Sequence, residues 1–193
     1  MTSYDSNLRL STISLLKELE LKKKTGKFWN ISWKLGVFLS GIVAKEKPRN
    51  VLEIGTSNGF STLWIIKGLK KNSKITTIEV NEERFLLAKE NFKKINCHVE
   101  INQILGEFFE VIEDFDFKDK FDFIFLDAAH KKYRQVIEIL EKKDLLDLKC
   151  TIVCDNVISH VYMGEFIEFM GKKYHIKIHK EGTGFLIASP YAI

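Results

Sequence analysis

The sequence predicts an α/β fold built on a mainly parallel seven-stranded sheet with one antiparallel strand, helices on both faces and extra helices at the N-terminus. Three observations predict it. From Asn50 onward, short apolar runs alternate with amphipathic stretches, the rhythm of strand–helix–strand units. Runs such as FDFIFL and TIVC are apolar throughout, as strands covered on both faces must be. Two short runs near the C-terminus flank Gly182-Thr183-Gly184 and form a pair that can supply the antiparallel strand.

The elements follow in order. Residues 1–47 read as helical: Leu8, Ile13, Leu15, Leu16 and Leu19 recur near helical spacing, and a second helical stretch runs from Ile31 towards Ala44 until Pro48 ends it. Val51 to Ile54 is a strand ending in a glycine turn, followed by a helix from Ser61 to Leu69. Lys74 to Ile78 is a strand. Asn81 then suits an N-cap, with Glu82 and Glu83 in the first turn and Phe85, Ala88, Phe92 and Ile95 along one helical face. His98 to Ile101 is a weak strand and Glu107 to Ile112 a short helix. Phe121 to Leu126 is strongly strand-like, and Tyr133, Val136, Ile137 and Leu140 mark the helix after it. Thr151 to Cys154 is a buried strand, Gly164 to Met170 a helix, and Tyr174 to Ile178 with Phe185 to Ala188 the closing pair.

Composition bounds the function classes. A chain of 193 residues is about one domain's length, so a single domain over 1–193 is expected, divided into an N-terminal helical part (1–47) and a sheet-and-helix part (48–193). Its 45% hydrophobic and 29% charged residues are those of a globular chain that can hold a core without staples. The longest membrane-like stretch, Gly36 to Ala44, is far short of the ~18 residues a span needs, so no membrane partner is expected. Asp5 and Arg9 sit among polar residues with no apolar signal region, and Cys97, Cys150 and Cys154 have neither zinc nor disulfide spacing; a reduced, cytoplasmic protein is expected. The net charge of +4 comes from lysines scattered as short groups (Lys22-Lys23-Lys24, Lys70-Lys71, Lys93-Lys94, Lys142-Lys143, Lys172-Lys173) that mostly close helices and complement their dipoles.

Chemistry is expected beyond the carboxyl ends of the parallel strands. The turn Glu53-Ile-Gly55-Thr-Ser-Asn-Gly59-Phe-Ser61 carries two glycines four apart, which is not the G-x-G-x-x-G fingerprint for a dinucleotide phosphate. Glu53 would repel a phosphate there, so a cationic or hydroxylated ligand fits better, and the helix start at Ser61 can hold a carboxylate. Glu79 ends the next strand, where an acidic side chain can accept both hydrogen bonds of a ribose diol. Asp127 and Asp155-Asn156 end two further strands. Two carboxylates and an amide suit a hard cation such as Mg²⁺ or Ca²⁺ rather than zinc; each could instead cap its following helix, but both together, in one sheet with Glu53 and Glu79, favour a site.

These residues resemble the S-adenosylmethionine-dependent O-methyltransferases of the catechol and caffeoyl-CoA type. The resemblance runs from about Ile31 to Pro190 and rests on VLEIGTSNGFSTLWI, TTIEVNEERFLLAKENF, FDFIFLDAAHKKY and CDNV in the family's order, with EGTGFLIA similar to its closing hairpin. It implies a Rossmann-like, doubly wound sheet and S-adenosylmethionine as cofactor. It implies that Gly55, Thr56, Ser57 and Gly59 pass the cofactor's methionine part, that Ser61 binds its carboxylate, and that Glu53 lies near its ammonium. Glu79 would hold the ribose, Val80 and the Gly106-Glu107-Phe108 turn the adenine. Asp127, Asp155 and Asn156 match the ligands of a divalent metal, magnesium or another such as calcium or manganese, with Asp127 also neighbouring the cofactor. Where the family usually has a lysine base, three positions beyond the first metal aspartate, this chain has His130, with Lys131 shifted by one. A histidine can take a proton at neutral pH, so His130 is the candidate catalytic base; the other reading leaves it an exposed first-turn residue and activation to the metal alone.

The implied reaction is methyl transfer to a hydroxyl of a small molecule with catechol-like or other vicinal oxygens. Some relatives methylate a hydroxylated tRNA uridine, which makes tRNA the alternative partner, and relatives are often homodimers. A non-catalytic cofactor-binding module is the alternative of another class, while the missing glycine pattern disfavours a nicotinamide dehydrogenase. Tyr133 matches a frequent family aromatic and equally suits a helix core. His160 is placed to line the substrate entrance. His98, His175 and His179 read as structural or exposed, and Trp29 and Trp33 as helix packing or pocket wall.

Overall fold

The computed structural model describes residues 3–23 and 30–191, with side chains from residue 11 to 22 in the first helix. Trp29, Lys24 and the side chains of Asp5, Leu8, Arg9 and Lys23 lie outside the described residues.

Two helices come first, α1 (Ser3–Lys23) and α2 (Trp33–Glu46). The Ser32 hydroxyl starts α2 by accepting from Leu35 N at 3.1 Å, and Lys47 ends it in the left-handed region (φ 56°), just before Pro48. The alternating part follows as β1 (Asn50–Ile54), α3 (Phe60–Gly68), β2 (Lys74–Glu79), α4 (Glu82–Lys93), β3 (Glu100–Leu105), α5 (Phe108–Asp114), β4 (Phe121–Leu126), a 3-10 turn (His130–Lys132), α6 (Tyr133–Lys142), β5 (Leu146–Cys154), α7 (Met163–Lys173), β6 (His175–His179) and β7 (Phe185–Ser189). Asn81 caps α4 as expected, its Oδ1 accepting from Arg84 N at 2.9 Å.

The strands form one sheet in the order β3-β2-β1-β4-β5-β7-β6. The first five are parallel, and β7 runs antiparallel to both its neighbours. Ile54 pairs with Ile78 and with Leu126, and Leu126 with Cys154. This register sets the residues just after the strands, Gly55, Asp127 and Asp155, in one row beside Glu79. The row straddles the reversal of strand order between β1 and β4, where ligands of doubly wound sheets bind.

Alternate residues of one strand feed two cores. Leu52, Ile54, Ile124 and Leu126 pack with α5, α6 and α7, whereas Val51, Phe123 and Phe125 pack with α1 to α4. Both faces are therefore apolar, which explains the unbroken hydrophobic runs. Leu15, Leu16 and Leu19 anchor α1 in the second core. Helices α2 and α3 lie side by side in the same direction: Gly36 meets Trp64, and Gly68 meets Ser40 and Val43 so closely that any β-carbon would collide.

Two strands differ from expectation. β3 begins at Glu100 and runs to Leu105, later than His98–Ile101, because an edge strand with mostly half-exposed side chains leaves little hydrophobic pattern. β5 starts at Leu146, five residues before the buried Thr151. Its first part is exposed or half-exposed, so apolarity alone does not reveal it. No described helix is long and apolar enough to cross a membrane.

Candidate active site

The turn after β1 is shaped by its neighbours. Gly55 has φ 102°, and a β-carbon there would stand 2.1 Å from the carbonyl oxygen of Asp127, so the β4 end itself demands glycine. Ser57 also adopts a left-handed conformation (φ 48°), which directs its N–H to Glu79 Oε2 at 2.7 Å. Asn81 N donates to the other carboxylate oxygen at 2.9 Å. Two backbone donors thus fix the Glu79 carboxylate at the edge of a cavity of about 950 Å³ that lies beyond the strand ends.

Glu53 faces the other way. Fully buried, it accepts hydrogen bonds from Ser61 Oγ (2.6 Å), Thr62 Oγ1 (2.5 Å) and Thr77 Oγ1 (2.7 Å). Because Thr77 gives its proton to Glu53, the 2.5 Å contact between Thr56 and Thr77 leaves Thr56 as donor. Burial pushes the Glu53 carboxyl up to about 7, with the three hydroxyls opposing that rise. Thr56, Ser61, Thr62 and Thr77 thus form a buried hydrogen-bonded network around Glu53.

At the ends of β4 and β5 the carboxylates converge. Asn156 Nδ2 donates to Asp127 Oδ1 at 3.1 Å, and Asp155 Oδ1 accepts from Asn156 N (2.7 Å) and Thr183 Oγ1 (3.0 Å). Asn156 holds φ 63°, a conformation asparagine tolerates better than most residues. Burial raises the Asp127 carboxyl well above its ordinary value, and the Asp155 and Glu53 charges add to the rise. Crowded negative charge of this kind is relieved by a cation, and the oxygen donors suit a hard one. Among the described residues no group of three or more His, Cys, Asp or Glu is placed to hold a metal, so such a site would consist of Asp127, Asp155 and the Asn156 amide.

The outer wall is aromatic. The ring of His130 lies 4.6 Å from that of His160 at 17°, and His160 lies 5.1 Å from Tyr162 at 7°. Partial burial, then the neighbouring His160 and Lys131, push the His130 pKa down. Tyr133, almost fully buried, also lines the cavity and donates its hydroxyl proton to Leu126 O at 3.0 Å. Lys132 spans to Glu107 at 2.8 Å, joining the 3-10 turn to the start of α5.

Of the expected site residues, Gly55, Ser57, Glu79, Val80, Gly106, Glu107, Phe108, Asp127, His130, Asp155 and Asn156 line this one cavity, as does His160. Glu53, Thr56, Gly59 and Ser61 do not: Ser61 and Thr56 turn into the Glu53 network, and Gly59 sits against Phe92. Trp33 packs edge-on to Trp64 at 4.9 Å rather than walling the cavity. The His179 ring lies 4.3 Å from that of Phe38, tilted by 58°, and His98 approaches Leu69 O at 3.3 Å. Sequence reasoning missed Asn30, Arg84 and Ser159, which also line it. No motif marks them; Asn30 lies two residues before the Ser32 cap.

A family model described as O-methyltransferase matches residues 4–178. The chain is 27% identical over 131 residues to a catechol O-methyltransferase of Niastella koreensis, covering 67% of this chain and 58% of that one. It is 29% identical over 128 residues to a catechol O-methyltransferase of Mycobacterium tuberculosis, covering 66% and 57%. The matched part therefore spans less than two thirds of these curated relatives. Among solved structures, the O-methyltransferase of Bacillus cereus in complex with SAH superimposes with a TM-score of 0.76 at 25% identity, covering 92% of this chain and 90% of that one.

Proposed function

From its membership of the O-methyltransferase family, to which this chain belongs, we propose that the protein is an S-adenosylmethionine-dependent O-methyltransferase acting on a hydroxyl of a small molecule, with catechol-like vicinal oxygens the acceptor class to test first. One observation carries the reading: a single cavity joins Glu79 at the end of β2 to Asp127, Asp155 and Asn156 at the ends of β4 and β5. A diol-binding acid at one end and crowded oxygen donors at the other suit a nucleoside cofactor meeting a hydroxylated acceptor. The SAH in the Bacillus cereus relative supports the choice of cofactor.

In this reading Glu79, held by two backbone donors, accepts from the ribose hydroxyls. Val80 and the Gly106–Phe108 turn border the adenine. Gly55, lacking a side chain, lets the ligand lie close to the strand end. A divalent cation held by Asp127, Asp155 and Asn156 would supply Lewis-acid polarisation of the acceptor oxygen. His130, deprotonated at neutral pH, takes the acceptor's proton. The remaining contribution is alignment of acceptor oxygen and methyl group within a walled site.

The test is incubation with isotopically labelled S-adenosylmethionine and, separately, catechols, hydroxycinnamoyl thioesters and total tRNA, with products read by mass spectrometry. Label on a small-molecule oxygen is the expected result. Label on tRNA alone would transfer the proposal to the nucleic-acid acceptor, and cofactor binding with no product in any arm would favour the non-catalytic module.

A further inference from the structure

Thr183 stands on the turn between β6 and β7, yet its hydroxyl donates to Asp155 Oδ1 at 3.0 Å, 28 residues back in the chain. Asn156 N donates to the same oxygen at 2.7 Å. The two donors differ in kind. The Asn156 N–H is the next backbone group in the chain and stays whatever side chains surround it, whereas the Thr183 hydroxyl arrives from another element.

The turn holds that hydroxyl in place. Gly182 and Gly184, on either side of Thr183, both take left-handed φ angles, 60° and 77°. Gly184 N closes the turn on Glu181 O at 3.0 Å. Thr183 O and Gly184 O accept from Ile158 N (3.1 Å) and Val157 N (3.2 Å), so the turn is bonded to the segment that follows Asp155 and Asn156. A β-carbon on Gly184 would stand 2.5 Å from Ile158, which shows how closely the two segments meet. Glu181 pairs in addition with Lys34 of α2 at 2.6 Å. Thr183 itself lines the cavity with Asp155 and Asn156.

The terminal torsion of an aspartate is broad when nothing holds it, and groups hydrogen-bonded to a ligating carboxylate set its orientation before the cation arrives. We infer that Thr183 is a positioning residue for the cation site, its hydroxyl, brought from the β6–β7 turn, fixing the orientation in which the Asp155 carboxylate meets a divalent cation. Thr183 acts through Asp155. The inference rests on the cation part of the O-methyltransferase reading and deepens it by one residue.

Titration of Mn²⁺ into the protein saturated with S-adenosylhomocysteine tests it, with free and bound ion distinguished by electron paramagnetic resonance. Thr183→Val keeps the shape of the side chain and removes the donor. Its Mn²⁺ affinity should fall by about tenfold or more, and its S-adenosylhomocysteine affinity should stay within about twofold of wild type. Thr183→Ser restores the hydroxyl and should bind Mn²⁺ within about threefold of wild type. Binding of S-adenosylhomocysteine also reports that each variant is folded, and if Thr183→Val does not fold, Thr183→Ala, which equally lacks the hydroxyl, decides. Unchanged Mn²⁺ affinity in Thr183→Val, an equal loss in Thr183→Ser, or a rise in the acceptor's KM with Mn²⁺ affinity intact would overturn the inference. If the wild-type protein binds S-adenosylhomocysteine but no Mn²⁺, the cation part of the reading fails first and this inference with it; if it binds neither, the O-methyltransferase reading fails as a whole.

Discussion

The amide of Asn156 donates to Asp127 Oδ1 at 3.1 Å, tying the end of β5 to the end of β4. The two strands pair in register up to Leu126 and Cys154, so the tie joins the chains one residue beyond β4 and two residues beyond β5. The consequences can be measured.

Asp155→Ala removes the acceptor for Asn156 N and for Thr183 Oγ1. Turnover in the presence of a divalent cation should fall by on the order of a hundredfold, the upper scale for loss of a group supporting a metal site. S-adenosylhomocysteine binding should stay within a few-fold. Wild-type turnover that is indifferent to a chelator would remove the cation from the proposal.

His130 acting as base must be free of its proton, and its pKa is pushed below the usual 6.5. kcat/KM should therefore rise with pH along a limb centred below 6.5 and be flat above it. His130→Lys should move the limb to higher pH, since an unperturbed lysine titrates near ~10.4. His130→Ala should abolish the limb and lower the rate by about a hundredfold or more. Identical pH profiles for wild type and His130→Lys would exclude His130 as the base.

Glu53 links stability to pH. Its folded pKa, raised to about 7, exceeds the unfolded value of 4.5, so the folded state binds more protons between those two pH values and stability falls as pH rises through that window. Glu53→Gln has no proton to lose. The stability of wild type relative to this variant should drop by roughly 3 kcal/mol from pH 4.5 to 7.5 and level off above, read from denaturant melts. Parallel curves for the two proteins would refute a raised Glu53.

Gly55→Ala places a β-carbon 2.1 Å from the Asp127 carbonyl oxygen at φ 102°. The clash and the backbone strain together should destabilise by roughly 2–4 kcal/mol, lowering Tm by about 5–15 °C. It should also displace the Asp127 end of β4, so turnover should fall in protein that is still folded at the assay temperature. A variant as stable as wild type would mean that the β1 turn is free to move.

Much of the fold was legible because it rests on local rules. The two-sided apolar runs of β1, β4 and the buried half of β5, the Asn81 cap and the helix stop before Pro48 all follow from periodicity and backbone chemistry. β3 and the first half of β5 were not, since exposed strand residues are held by partners distant in the sequence rather than by their own hydrophobicity.

The site divides the same way. Sequence alone determined that Gly55, Glu79, Asp127 and Asp155-Asn156 follow strands, and parallel pairing brings strand ends together whatever the details of packing. Tertiary structure alone decided which side chains look into the cavity. Glu53 at the end of β1 and Ser61 at the start of α3 flank the turn that carries Gly55 and Ser57, yet Glu53 points into the protein, where hydroxyls from α3 and β2 meet it. Asn30, unmarked by any motif, reaches the cavity because the glycine contacts of α2 and α3 set its segment there. A strand's end is a property of the chain, but the direction of a side chain is settled by the packing of elements far apart in it.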